Sequence, residues 1–146
     1  MSPQLADLAA SGEIRFEVHY LPIFQATGRA IVAVECAGEQ GYWWAMHGHI
    51  LRNQAQGIRA QKTVDDLDAL LNRYAADLGL DTAAFAQCLA SDEKADELLP
   101  RVIEQYEAAQ ELGINGTPTF VLNGKPLSIK AWDDVLEAVR EELKRK

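Results

Sequence analysis

From about residue 29 to residue 112, apolar residues recur at helical spacing almost without interruption. Strand-like sequence stands on both sides of this block. Residues 14–20 place Ile14, Phe16, Val18 and Tyr20 in alternation with Arg15, Glu17 and His19, the period-two pattern of a half-buried strand. Near the other end, the β-rich run Thr119, Phe120, Val121 and Leu122 meets Asn123-Gly124, the strongest two-residue hairpin signal, and a return run over 125–129 follows. Pro126 marks the return as an edge, because proline has no amide to give a second neighbour. The expected order is helix, strand, helical block, hairpin, helix: an α/β chain that is mostly helical.

The short helices have legible ends. Ser2-Pro3 reads as an N-cap followed by proline at the first helical position, Leu5, Leu8 and Ala9 share a face, and Gly12 closes the turn. Within the block, residues 30–37 and 43–54 form two helices parted at Gly38 to Gly41. Thr63 with Asp66 resembles a capping box. Leu67, Leu70, Leu71, Tyr74 and Leu78 then repeat at helical spacing up to Gly79. Asp81 caps a helix that buries Phe85, Cys88 and Leu89, and Ser91 starts another. Pro100 falls inside that last pattern and is expected either to kink it or to open a new helix. Val102, Ile103, Tyr106 and Leu112 carry the stripe to Gly113. Trp132, Val135, Leu136, Val139 and Leu143 form a final amphipathic helix.

At 146 residues the chain suits one domain, with no internal repeat or linker. Lys and Arg number 14 against 22 Asp and Glu, a net charge of -8 that argues against a nucleic-acid partner. No apolar run reaches the roughly 20 residues of a membrane span. The opening residues lack a secretory pattern, so the chain as written is expected in the cytoplasm, and outside it if the native chain is longer. There are 2 cysteines, Cys36 and Cys88, and no Cys-x-x-Cys. That removes the strongest signature of dithiol catalysis or a zinc ribbon.

Particular residues carry a family resemblance. The segment Gly113-Ile114-Asn115-Gly116-Thr117-Pro118-Thr119-Phe120-Val121-Leu122-Asn123-Gly124 is very similar to the part of DsbA-like thioredoxin-fold proteins that holds their cis-proline. Glu35-Cys36-Ala37-Gly38-Glu39-Gln40-Gly41, with Trp44-Ala45-Met46-His47 and Asn53-Gln54 after it, resembles the start of that family's helical insertion. Phe85-Ala86-Gln87-Cys88-Leu89 resembles a later helix of the same insertion. The likeness runs from about Gln4 to the last helix. It implies a thioredoxin-like fold across 1–146, with 1–25 and 113–146 as the thioredoxin-like part and 26–112 as the insertion. It also implies a thiol–disulfide oxidoreductase acting on protein thiols, whose catalytic Cys-x-x-Cys this chain lacks. The family's first strand, and the strand ending at that motif, precede its first helix, whereas this sequence opens inside that helix. A late-starting chain and a shortened member both fit. The alternative function is a peptide-binding or scaffold protein without redox chemistry.

The resemblance singles out four residues. Thr117 and Pro118 would line a substrate groove around a cis bond; the plain alternative is a trans proline before a strand, since only about 5–6% of such bonds are cis. Cys36 and Cys88 would form a structural disulfide between insertion helices, or else two buried free thiols. Catalysis by that pair is disfavoured, because neither sits at a helix N-terminus or beside a cation. His47 and His49, two apart on a helix, point about 200° away from each other and cannot share a metal ion unless the helix breaks at Gly48. His47 corresponds to a structural histidine of the family. Trp43, Trp44 and Trp132 read as core or cleft-wall aromatics. No cofactor or metal is expected; the expected partner is a polypeptide segment. The implied topology sets a central strand between residues 14–20 and 119–122 that this sequence does not contain. Either those two strands pair directly or a second chain completes the sheet, and a homo-oligomer is expected.

Overall fold

Side-chain oxygens at helix starts cut the long helical pattern into pieces. The computed structural model describes residues 3–24, 26–129 and 131–145. Thr63 Oγ1 accepts the Asp66 amide at 3.1 Å and opens α4 (Val64–Asp77), the fourth of seven helices among the described residues. Asp81 Oδ1 accepts the amides of Ala83 and Ala84, both at 3.0 Å, and opens α5 (Thr82–Leu89). Each contact replaces a partner that the first helical turn cannot supply. Between them, Gly79 at φ +78° ends α4 in the left-handed conformation that favours glycine.

The chain divides into two compact units, 22–104 and 1–21 with 105–146. The first holds α2 (Thr27–Glu39), α3 (Trp43–Arg52), a short 3-10 turn (Ile58–Ala60), α4, α5 and the beginning of α6 (Asp92–Glu111). Its core gathers the faces that the periodicity marks: Val32, Ala33 and Cys36 of α2, Met46 of α3, Leu67, Leu71 and Tyr74 of α4, Phe85 and Leu89 of α5. Leu71 and Phe85 are completely buried, each contributing about 1.5–3 kcal/mol over an exposed position. Of the two outcomes expected at Pro100, a new helix does not form: α6 runs on through it. The missing amide costs one hydrogen bond of the ladder, and the turns on either side keep theirs.

The second unit holds α1 (Pro3–Ala10), residues 14–20, the end of α6, the hairpin of β1 (Val121–Leu122) and β2 (Lys125–Pro126), and α7 (Trp132–Lys144). Ser2 lies outside the described residues. Leu5 of α1 is buried with Val135, Leu136 and Val139 of α7, and Ile14, Phe120 and Leu122 pack on them. The hairpin is antiparallel, Val121 opposite Pro126 and Leu122 opposite Lys125. Asn123 at φ 48° and Gly124 at φ 80° make the turn, the double left-handed pair that matches strand twist. One further bond, Leu127 N–H to the Phe120 carbonyl at 2.8 Å, extends it.

The expected strand over 14–20 needs correcting. Its side chains alternate as the sequence reads, Ile14, Phe16, Val18 and Tyr20 half-buried and Arg15, Glu17 and His19 exposed. Yet among the described residues the only ladder joins β1 and β2. The amides at its two ends find partners outside any ladder: Ile14 N–H donates to the Leu8 carbonyl at 3.3 Å, and Tyr20 N–H to Gln105 Oε1 at 2.8 Å.

Candidate functional site

The two cysteines meet inside the helical unit. Cys36 on α2 and Cys88 on α5 form a disulfide with an S–S distance of 1.99 Å and a Cα separation of 5.8 Å, and Cys36 is only 1% exposed. A side-chain amide aligns the two helices. Gln40 Oε1 accepts the Asp81 amide at 2.9 Å while Gln40 Nε2 donates to the Asp81 carbonyl at 3.2 Å. This imitates a pair of backbone partners and ties the end of α2 to the start of α5.

Glu35, beside Cys36, joins three elements. Its Oε1 accepts Trp43 Nε1–H at 2.9 Å, and its Oε2 pairs with Arg101 of α6 at 2.8 Å. The Trp43 ring lies stacked on His47, while Trp44, 49% exposed, meets Trp43 edge-on at 4.8 Å. Burial lowers the His47 pKa. His49 faces another way and packs edge-on against Tyr74 at 4.4 Å. The two histidines thus serve different aromatic neighbours. Among the described residues no group of three or more His, Cys, Asp or Glu could hold a metal ion.

Thr117 and Pro118 lie in the other unit, in the loop before β1. Both are exposed, and the bond between them is cis. The loop is pinned at its base, where Gln110 Nε2 donates to the Ile114 carbonyl at 3.1 Å and Thr119 Oγ1 donates to the Gly116 carbonyl at 2.7 Å. Behind it, Phe120 and Trp132 contact edge-on at 4.7 Å. Trp132 is 46% exposed, a wall rather than a core residue.

Sequence reasoning missed the Glu35–Trp43–Arg101 junction and the Gln40–Asp81 pair. Both link residues distant in sequence, and a half-buried glutamate leaves no periodic trace. The available hint was that Glu35 interrupts an otherwise apolar turn of α2, between Val34 and Cys36.

In chemical terms the helical unit holds a closed disulfide and a polar junction, and the hairpin unit presents an exposed, side-chain-braced loop. That is the makeup of a thioredoxin-like protein with a helical insertion. Residues 2–141 match the thioredoxin family, and the chain belongs to it. Its general kind is that of the thiol–disulfide oxidoreductases. Two curated proteins are similar. The chain is 33% identical over 126 residues to the Na(+)/H(+) antiporter NhaA 3 of Salinispora tropica, covering 81% of this chain and 17% of that protein. It is 33% identical over 115 residues to the Na(+)/H(+) antiporter NhaA 1 of Salinispora arenicola, covering 77% and 16%. The chain therefore corresponds to a small part of these relatives, and among its described residues no helix is long and apolar enough to cross a membrane. No solved structure matches it significantly.

Proposed function

We propose that these 146 residues act as a polypeptide-binding module of the thioredoxin family, receiving an extended client segment at the loop of Thr117 and Pro118. In this reading the module does no dithiol chemistry of its own. The observation that carries it is the state of the cysteines: the 2 in the sequence are bonded to each other, with Cys36 buried. Thiol–disulfide exchange needs an accessible thiolate, so oxidoreductase activity would draw on a dithiol supplied from outside these residues. The disulfide also supports an oxidising compartment over the cytoplasm. The antiporter relatives, in which the matched region is 17% and 16% of the whole, support a role as one domain of a larger protein.

Two measurements test this. Titrating a cysteine-free extended peptide into isotope-labelled protein should shift the amide resonances of residues 116–120, and shifts confined to other residues would overturn the groove. Insulin reduction should stay at background. Turnover that disappears in Cys36→Ala or Cys88→Ala would make the pair catalytic and end the reading.

A further inference from the structure

A disulfide opens when a thiolate strikes one sulfur in line with the bond and the other sulfur leaves, so access decides which sulfur is attacked. The two ends of the Cys36–Cys88 bond differ in access. Cys36 is 1% exposed, and its neighbours on α2, Val32, Ala33 and Ala37, are buried with it in the core. Cys88 packs at the margin of that core and keeps part of its surface in solvent. Side chains four before and three after a helical residue are its neighbours on the surface. Those positions hold Ala84, which is exposed, and Ser91, which lies just past α5 with its N–H donating to the Cys88 carbonyl at 3.1 Å. Neither side chain is long enough to roof the Cys88 sulfur.

We propose that Cys88 is a thiolation site, at which a small thiol without negative charge opens the disulfide and stays bound. The thiolate of the small thiol attacks Cys88 Sγ, the bond to Cys36 breaks, and its electron pair leaves on Cys36 Sγ. The proton given up by the incoming thiol ends on Cys36. The incoming sulfur is thereby oxidised to the disulfide level, Cys36 is reduced to a thiol, and the protein gains the mass of one thiol molecule. An apolar pocket favours thiol over thiolate, and only a thiolate can strike back at Cys88, so the adduct persists. Charge selects the class of thiol. Between Arg73 and Lys94 the sequence holds Asp77, Asp81, Asp92 and Glu93 and no base, and Lys94 is engaged by Glu39 and Glu97. An anionic thiol approaches this stretch against repulsion. The exchange is stoichiometric and turns nothing over, so it stands beside client binding at Thr117 and Pro118 and does not depend on it.

The test treats the folded 146-residue protein with 2-mercaptoethanol, quenches with acid and maps the adduct by mass spectrometry without reductant. The adduct should sit on Cys88 in at least about tenfold excess over Cys36, and the preference should vanish in urea, where access is equal. Mercaptoacetate, compared at equal thiolate concentration, should react several-fold more slowly. Single-cysteine variants give a second readout: an aromatic disulfide reagent should label folded C36A, which keeps Cys88, faster than folded C88A, which keeps Cys36. An adduct on Cys36, or one shared equally in the folded protein, overturns the proposal. So does a disulfide that no small thiol opens until the protein unfolds, and equal rates for the two thiols overturn the stated class.

Discussion

Trp43 and His47 lie one helical turn apart on α3 with ring centroids 4.9 Å apart and planes 18° from parallel. The stack covers one face of the imidazole, and burial lowers its pKa from the ordinary 6.5. In the unfolded chain the ring titrates near 6.5; in the folded chain it stays neutral to lower pH. Between those two values the unfolded state binds a proton that the folded state refuses, so stability falls as pH drops through that window. Well above 6.5 both states are neutral and the contribution is flat. Replacing His47 with Phe keeps a ring against Trp43 and removes the titration. The melting-temperature difference between wild type and H47F should be constant well above 6.5 and move in favour of H47F as the pH falls through it. A parallel pair of curves would refute the assignment.

The Cys36–Cys88 bond spans a sequence separation of 52. Removing both sulfurs in C36A/C88A should lower stability by about 2–4 kcal/mol, read from urea unfolding without reductant. Reductant should then change the wild type and leave the variant unaffected. Mass spectrometry of the unreduced wild type should show the mass of two missing hydrogens.

Arg29 and Asp68 join α2 to α4 with a fork of two contacts, Arg29 Nε donating to Asp68 Oδ1 at 2.6 Å and an Arg29 Nη to Oδ2. Their side chains are 25% and 26% exposed, shielded enough for the pair to count. D68N should cost about 1–2 kcal/mol. A double-mutant cycle with R29M should return a coupling of about 1 kcal/mol, and additivity of the two variants would show that the contact is energetically idle.

Phe85 fills the centre of the helical unit between α2 and α4 and is completely buried. F85A should cost about 3–5 kcal/mol, the sum of lost transfer energy and the cavity left behind. Val64→Ala, at a position 63% exposed, is the matched control and should stay within about 0.5 kcal/mol of wild type.

Local features were legible in the sequence because their causes are local. Thr63 and Asp81 cap the helices they precede, Asn123-Gly124 makes its turn, and the buried face of α4 follows the 3.6-residue repeat. The alternation over 14–20 was also correct, because it records which side chains face the unit's interior. It says nothing about whether a neighbour strand is present, so reading it as a ladder overreached. Pro100 left two readings open, a kink or a new helix, because its local penalty is real but the turns on each side decide whether the helix goes on, and here it does. The meeting of Cys36 with Cys88 was implied by family likeness, since nothing in a pair of apolar helix positions fixes their partners. Glu35, Trp43 and Arg101 were invisible as a group, for their junction exists only once α2, α3 and α6 have been brought together.

The attachments of α2 have a consequence for motion. Along its length, Arg29 is held by Asp68 of α4, Glu35 by Arg101 of α6, Cys36 by Cys88 of α5, and Glu39 by Lys94 of α6 at 2.7 Å. A helix fastened to three neighbours near its start, middle and end has no partial opening that releases it alone. Its central amides should exchange with solvent deuterium only when the whole helical unit opens, whereas those of the short 3-10 turn (Ile58–Ala60) escape through local fluctuation. α2 is then the slow clock of the unit, and every other helix keeps time against it.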